Sequence, residues 1–149
     1  VVVVAGSLGS ASVNNKMKDF LHTVDKNSKY EVLYITGKAL YEDFIKDEKF
    51  SESVKVLPYL DNLPALLKNA DLIVTRAGAS TMAEILSLNL PAIFIPSPYV
   101  ANNHQYYNAL EIKNNNGGEL LEEKDFNYQS IEKNKDKNIF LWNKWLQNL

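Results

Sequence analysis

Three stretches of the chain place residues suited to ligand binding directly after apolar, strand-like runs. The most informative is RAGASTMAE, residues 76–84, which follows the apolar run 71–75 and brings together Gly78, two adjacent hydroxyl residues and Glu84. Glycine allows a ligand to approach the backbone closely. The free N–H groups at the start of a helix bind anions, and a carboxylate in the same turn accepts hydrogen bonds from a sugar diol. The stretch is therefore a candidate site for a phosphorylated sugar.

A capping box is the alternative explanation of the same stretch. Thr81 is followed three residues later by Glu84, which is the spacing of that motif. If the helix begins near Ser80 or Thr81, these side chains satisfy its first backbone groups and need no ligand. The box does not explain why Gly78 and two hydroxyls meet at the end of a buried strand. The pattern leaves both interpretations open.

The second stretch, AGSLGS at residues 5–10, follows the first apolar run. Gly6 and Gly9 allow close approach of the backbone, and Ser7 with the next helix N-terminus offers donors to a phosphate. A tight strand-to-helix turn with an N-cap is the alternative. The stretch has neither the dinucleotide fingerprint G-x-G-x-x-G nor the Gly-Lys-Ser/Thr of a P-loop.

The third stretch, residues 96–109, begins with two prolines and continues into a helical pattern. Helical spacing places His104, Gln105 and Asn108 on one face. Amide side chains bind neutral hydroxyl groups, whereas His104 is either a general base or a hydrogen-bonding surface residue. His22 is too distant in sequence to form a metal-ligand motif with it, so we expect no metal site.

Alternating strand and helix patterns must position these stretches. An alternation of this kind predicts a parallel sheet with helices on both faces, with ligands bound beyond the carboxyl ends of the strands. The predicted strands are residues 1–5, 30–37, 54–60, 71–75, 92–96 and 118–122. A first helix is predicted after residue 10, and further helices are predicted at 39–45, 63–70, 81–88 and 102–115.

The C-terminal part is less regular than the rest of the chain. Asn89 is a candidate left-handed stop for the helix at 81–88. Residues 127–138 are polar and are a weak candidate for a linker. From Ile139 an amphipathic helix is expected, with Trp142 and Trp145 on one face.

Composition limits the class of protein. The 149 residues suffice for one domain with a core, and 46% hydrophobic with 23% charged residues is an ordinary globular balance. A net charge of -2 gives no bulk attraction to nucleic acid. With no cysteine, disulfides and thiolate metal sites are excluded. Neither a membrane-spanning run nor a signal peptide is visible, and the opening strand at Val1 suggests a piece of a longer polypeptide.

Taken together, the three stretches offer two phosphate-like sites, an acceptor for a diol and an amide-rich wall. This combination suits a nucleotide-sugar better than a dinucleotide. In these stretches the chain resembles the C-terminal half of the MurG family of glycosyltransferases. The resemblance is carried by GSLGSASVN at 6–14, YITGKALYED at 34–43, the long block 56–98 and NNHQYYNAL at 102–110. It becomes poor after about residue 126.

The resemblance implies a Rossmann-like domain, the C-terminal half of a GT-B glycosyltransferase, which binds UDP-N-acetylglucosamine (UDP-GlcNAc). It assigns donor-binding roles to Gly78 and to the residues named in the next three sentences. Gly6, Ser7 and Gly9 face the diphosphate, and Tyr59, Leu60 and Leu63 border the uracil. Ala79, Ser80 and Thr81 lie at a helix tip near the phosphates, Glu84 binds the ribose, and Arg76 braces the loop. His104 and Gln105 face the GlcNAc hydroxyls, supported by Asn108.

The resemblance also implies an activity for the whole protein. That activity is inverting transfer of GlcNAc from UDP-GlcNAc to lipid I, an undecaprenyl-linked acceptor, giving lipid II for peptidoglycan. It needs no metal or cofactor for donor binding and takes place at the cytoplasmic face of the cell membrane, where the enzyme is peripheral. Residues 1–149 are then the donor domain, and an N-terminal acceptor domain with the proposed general base is absent from the chain. We expect the isolated chain to bind donor without catalysing transfer.

Other functions remain compatible with the sequence. The chain is alternatively the donor-binding subunit of a split GT-B transferase with another acceptor, or a non-catalytic nucleotide-binding module. A UDP-GlcNAc 2-epimerase of similar fold would need further acid and base residues, which we do not locate in the sequence.

Overall fold

The computed structural model describes residues 1–6 and 9–135. Within them, six strands form one parallel sheet in the order β3-β2-β1-β4-β5-β6. The strands are β1 Val2–Val4, β2 Val32–Ile35, β3 Val54–Leu57, β4 Ile73–Thr75, β5 Ala92–Phe94 and β6 Glu119–Leu120. The α-helices are α1 Ala11–Thr23, α2 Tyr41–Ile45, α3 Leu63–Leu67, α4 Ala79–Ser87 and α5 His104–Asn114. Short 3-10 turns cover Lys38–Leu40, Ala101–Asn103 and Glu123–Asp125.

The strand order explains where a ligand site can form. Strand connections run outward in one direction from β1 to β3 and in the other direction from β4 to β6. Because parallel crossovers are right-handed, the two halves place their helices on opposite faces of the sheet. A crevice opens beyond the carboxyl ends of β1 and β4, where the direction reverses.

The core consists of two apolar clusters, one on each face of the sheet. Val3 belongs to the cluster that includes Met17 and Phe20 of α1, whereas its neighbour Val2 belongs to the cluster that includes Ile85 of α4. This alternation follows from the two-residue period of a strand. It confirms the prediction of a parallel sheet covered on both faces.

The structure refines several predicted boundaries. The helix predicted at 81–88 begins two residues earlier, at Ala79, and ends before Asn89, whose φ of 49° confirms the left-handed stop. The helix predicted at 102–115 begins at His104, because Asn102 and Asn103 have left-handed backbones with φ of 54° and 52°.

The polar stretch at 127–138 is not a linker over the part that the structure describes. Residues 128–135 are helical, and Ile131 lies fully buried in the same cluster as Val3. The helix expected from Ile139 and the pair Trp142 and Trp145 lie outside the described residues. Among the helices in the described part of the chain, none is both long and apolar enough to cross a lipid bilayer.

Candidate functional site

A cavity of about 630 Å³ lies beyond the carboxyl ends of the central strands. Its wall comes from the connections that follow β1, β2, β3, β4 and β5, so segments far apart in sequence meet there. The cavity brings together most of the predicted site residues, namely Gly6, Gly9, Tyr59, Leu60, Leu63, Arg76, Gly78, Ser80, Thr81, Glu84 and Gln105. Ser7 lies outside the described residues.

The glycine-rich turn after β1 forms the floor of the cavity. The Gly9 N–H donates to the Gly6 carbonyl at 3.1 Å, and both glycines have positive φ, 99° for Gly6 and 79° for Gly9. Ser10 then caps α1, since its hydroxyl oxygen accepts a hydrogen bond from the Val13 N–H at 3.4 Å. The N-cap alternative for this stretch is therefore realised, and the same turn still lines the cavity.

The tip of α4 differs from the predicted capping box. Gly78 is the N-cap, and its carbonyl accepts the first helical hydrogen bond, from the Met82 N–H at 2.9 Å. No side chain caps this end of α4 within the described residues. Thr81 is therefore the third helical residue, and Glu84 lies in the second turn. The capping-box alternative is wrong, and so is the expectation that Glu84 lies in the first turn of the helix.

This start of α4 has a chemical consequence. The N–H groups of Ala79, Ser80 and Thr81 precede the first helical bond and have no acceptor within the helix. With the helix dipole, they form an anion-binding tip at the cavity. Ser80 and Thr81 line the cavity, as does the exposed Glu84, whereas Ala79 is not part of the lining.

Arg76 connects the loops that surround the cavity. One guanidinium nitrogen donates to the carbonyls of Ile95 and Pro96, each at 3.3 Å, and the other donates to the Ser10 hydroxyl at 2.8 Å. The second nitrogen also lies 2.6 Å from Oε2 of Glu123. These contacts match the bracing role expected of Arg76, although its side chain remains part of the cavity wall.

Glu123 is a residue that the sequence reasoning missed. Its side chain is only 8% exposed and that of Arg76 13%. Burial by itself raises the pKa of Glu123, but hydrogen bonds from Ser12 and Arg76, with the charges of Arg76 and Lys16, outweigh it and hold the pKa below its usual value. The buried Oε2 of Glu123 therefore has the Arg76 guanidinium as its close partner, at 2.6 Å.

The predicted amide-rich wall is only partly assembled. Gln105 lines the cavity, and its Oε1 accepts a hydrogen bond from the Ser97 N–H at 2.9 Å. His104 is exposed, with Nδ1 2.9 Å from the Ala101 carbonyl oxygen. Neither His104 nor Asn108 belongs to the cavity lining. The structure thus places one of the three predicted side chains in the cavity.

The far end of the cavity is more apolar. Tyr59 is 42% exposed there, beside Leu60 and Leu63, and the Lys38 ammonium lies 4.3 Å from the centre of the Tyr59 ring. That distance is within the range of a cation–π contact. Tyr99 also lines the cavity and was not predicted, although its place in the loop after a central strand was a usable signal.

A buried hydrogen-bonded group, which the sequence reasoning also missed, lies next to the glycine-rich turn. The Tyr34 hydroxyl donates to Oδ1 of Asn14, and Nδ2 of Asn14 donates to the Thr36 carbonyl at 3.4 Å. All three side chains are buried. Burial raises the pKa of the Tyr34 phenol far above its usual value, against a smaller opposite effect of Arg76. The group fixes α1 against the end of β2.

The opposite end of the strands has a second cavity, which lacks the features of the first. A larger cavity of about 1200 Å³ lies at the opposite edge of the sheet, near Val1, Glu31, Asp71 and Pro91. It lies beyond the amino ends of the strands, whereas the N-termini of the helices that follow the strands face the carboxyl ends. Among the described residues, no cluster of three or more His, Cys, Asp or Glu side chains is arranged to hold a metal ion.

The fold and the site define a Rossmann-like domain of the GT-B glycosyltransferase class. Solved structures with a similar fold include MurG of Acinetobacter baumannii, with a TM-score of 0.75, 21% identity, and coverage of 89% of this chain and 39% of that one. They also include the glycosyltransferase VinC, solved in complex with dTDP, with a TM-score of 0.73, 17% identity and coverage of 93% and 33%.

The chain belongs to the glycosyltransferase family 28 C-terminal domain family, whose model matches residues 1–140. Two curated relatives carry the name UDP-N-acetylglucosamine–N-acetylmuramyl-(pentapeptide) pyrophosphoryl-undecaprenol N-acetylglucosamine transferase. The relative from Pediococcus pentosaceus is 37% identical over 134 residues, which are 88% of this chain. The relative from Bacillus cytotoxicus is 38% identical over 154 residues and 100% of this chain. The chain spans only 37% and 41% of the lengths of these relatives.

Proposed function

We propose that the chain is the donor-binding domain of a transferase that moves GlcNAc from UDP-GlcNAc to lipid I in peptidoglycan synthesis. The single observation that carries the proposal is the cavity in which the glycine-rich turn, the α4 tip and Glu84 meet. The names of the curated relatives supply the sugar and the acceptor.

In this proposal the diphosphate lies between the turn at Gly6 and Gly9 and the tip of α4. The N–H groups of Ala79, Ser80 and Thr81 point toward the position of the phosphates, with the hydroxyls of Ser80 and Thr81 as further donors. Glu84 accepts hydrogen bonds from the ribose diol, and Tyr59, Leu60 and Leu63 border the uracil. Gln105 binds the GlcNAc hydroxyls. His104 and Asn108 reach the sugar only if α5 or the loop before it moves.

The same arrangement suits the chemistry of transfer. An acceptor hydroxyl oxygen forms a bond to the anomeric carbon, while the bond from that carbon to the diphosphate breaks and UDP leaves with the electron pair. Negative charge grows on the leaving phosphate, and preorganised N–H groups with a helix dipole stabilise it. The acceptor proton goes to a base in the part of the protein that holds the acceptor.

The acceptor determines the setting of the whole enzyme. An undecaprenyl chain is a membrane lipid, so we place the full-length protein on the cytoplasmic face of the cell membrane. The acceptor then binds in a preceding domain that faces the cavity. The donor domain by itself is expected to bind UDP-GlcNAc and to leave lipid I unchanged.

Calorimetry on the chain with UDP-GlcNAc, UDP, GDP-mannose and ADP-glucose tests the proposal. We expect the two uridine ligands to bind and the guanosine and adenosine sugars to bind at least about tenfold more weakly, which is about 1.4 kcal/mol of discrimination. Equal affinity for UDP-GlcNAc and GDP-mannose would contradict the proposal and favour a non-catalytic nucleotide-binding module.

A further inference from the structure

Glu123 lies outside the cavity lining but contacts the residues that build it. It follows β6, at the edge of the sheet, and its carboxylate reaches Arg76, whose other contacts are the Ser10 hydroxyl and the carbonyls of Ile95 and Pro96. Lys16 of α1 donates to the Glu123 backbone carbonyl, which ties this residue to the helix behind the glycine-rich turn.

From this arrangement we infer that Glu123 is a positioning residue for the diphosphate: it acts through Arg76 to fix the distance between the glycine-rich turn and the loop after β5. The inference rests on the proposed function, because it requires a nucleoside diphosphate-sugar in the cavity. Glu123 itself is not expected to touch the ligand.

The charge of Glu123 decides how Arg76 is used. Arg76 is the arginine in the cavity wall, and a guanidinium beside a diphosphate ordinarily forms a forked contact with phosphate oxygens. Here the guanidinium has four internal acceptors on three segments. The buried carboxylate balances its charge and keeps it on these acceptors. The phosphates are then left to the N–H groups of α4 and the glycine-rich turn.

Loss of the carboxylate should therefore disturb one part of the ligand selectively. Without Glu123, Arg76 is no longer held on its other partners. The Ser10 hydroxyl and the loop at Ile95 and Pro96 then lose the residue that joins them, so the N–H groups of the glycine-rich turn are less well placed for the phosphates. The uracil end, around Tyr59, is built by the segment after β3 and does not depend on this contact.

The test compares Glu123→Gln with Glu122→Gln, a matched control. Glu122 is the preceding residue, its side chain is 42% exposed, and it pairs with exposed Lys124 at 3.3 Å. Calorimetry with UDP and UDP-GlcNAc, NMR titration with uridine, and melting curves are recorded for both variants. We expect Glu123→Gln to weaken the binding of UDP and UDP-GlcNAc by about tenfold, which is a typical effect between contacting residues. The affinity for uridine should stay unchanged. Glu122→Gln should match the unmodified chain.

Two results would overturn the inference. Unchanged UDP affinity in a folded Glu123→Gln variant is one, and equal loss of UDP and uridine is the other, since that is the signature of a purely structural role. If Glu123→Gln does not fold, Arg76→Lys gives the same readout, because an ammonium cannot serve four acceptors at once. Failure of the proposed function is distinguishable, since the unmodified chain would then bind UDP no better than uridine.

Discussion

Gly9 passes so close to Thr36 that a Cβ atom on Gly9 would lie 2.4 Å from the Thr36 carbonyl oxygen. The neighbour is backbone and cannot move aside easily. Gly9 also has φ of 79°, where a side chain is strained regardless of space. By contrast, a Cβ on Gly78 would meet nothing within 4 Å. Backbone strain and close packing therefore require glycine at position 9 but not at position 78.

This contrast gives the first prediction. Gly9→Ala should lower the free energy of unfolding by about 2 kcal/mol or more, through backbone strain and the clash with Thr36. Gly78→Ala should cost less than about 1 kcal/mol, the difference between Gly and Ala at an N-cap. It should nevertheless weaken UDP binding, because the added methyl group enters the cavity. Chemical denaturation and calorimetry separate the two effects, and a Gly78→Ala variant that binds UDP normally would exclude close backbone approach at that position.

The second prediction concerns Glu84. Glu84→Ala should weaken UDP-GlcNAc binding by about 1–3 kcal/mol, the loss of a charged hydrogen-bond acceptor, without altering the melting temperature of the chain. A donor analogue with a 2′,3′-dideoxyribose should bind the variant and the unmodified chain equally. Glu111→Ala, an exposed glutamate of α5 that does not line the cavity, is the control. An unchanged affinity for UDP-GlcNAc would refute the ribose role.

The third prediction separates capping from binding. Ser10 is an N-cap in the structure and Thr81 is not. Ser10→Ala should therefore cost about 1 kcal/mol of stability, whereas Thr81→Val should change stability by less than about 0.5 kcal/mol. Thr81→Val should still reduce UDP affinity, since it removes a hydroxyl from the cavity wall. A large drop in the melting temperature of Thr81→Val would instead restore the capping box.

The fourth prediction follows from the buried phenol of Tyr34. Its pKa is raised by burial above the ordinary value of 10.0, so the neutral phenol is favoured in the folded state. The corresponding stability is fully present below pH 10 and is lost as the pH rises beyond it. Tyr34→Phe should cost about 1–3 kcal/mol at neutral pH, because Oδ1 of Asn14 loses its donor. The two chains should converge in stability above pH 10.

Melting temperatures from pH 7 to pH 11 check this convergence. Tyr107→Phe, on a 62% exposed tyrosine of α5, is the control and should follow the unmodified chain throughout. A constant difference between Tyr34→Phe and the unmodified chain across this pH range would contradict the prediction.

The sequence by itself determined the sheet, its helices and the three stretches that form the cavity. Apolar runs and helical periods are local properties, and parallel strands necessarily bring their carboxyl ends to one edge of the sheet. The helix ends were less predictable. The start of α4 at Ala79 depends on which carbonyl accepts the Met82 N–H, and the spacing of Thr81 and Glu84 suggested a different start.

Only the tertiary structure decided how the cavity is held together. In the sequence, nothing distinguishes Glu123 from the other charged residues of its polar stretch, or Asn14 from any other amide in a helix. Their functions depend on burial and on partners such as Arg76 and Tyr34, which are distant in sequence. The division between Gln105 inside the cavity and His104 outside it likewise depends on the left-handed backbone at Asn103. Periodicity shows which face of an element is apolar, but the pairing of polar groups is fixed only when the elements pack.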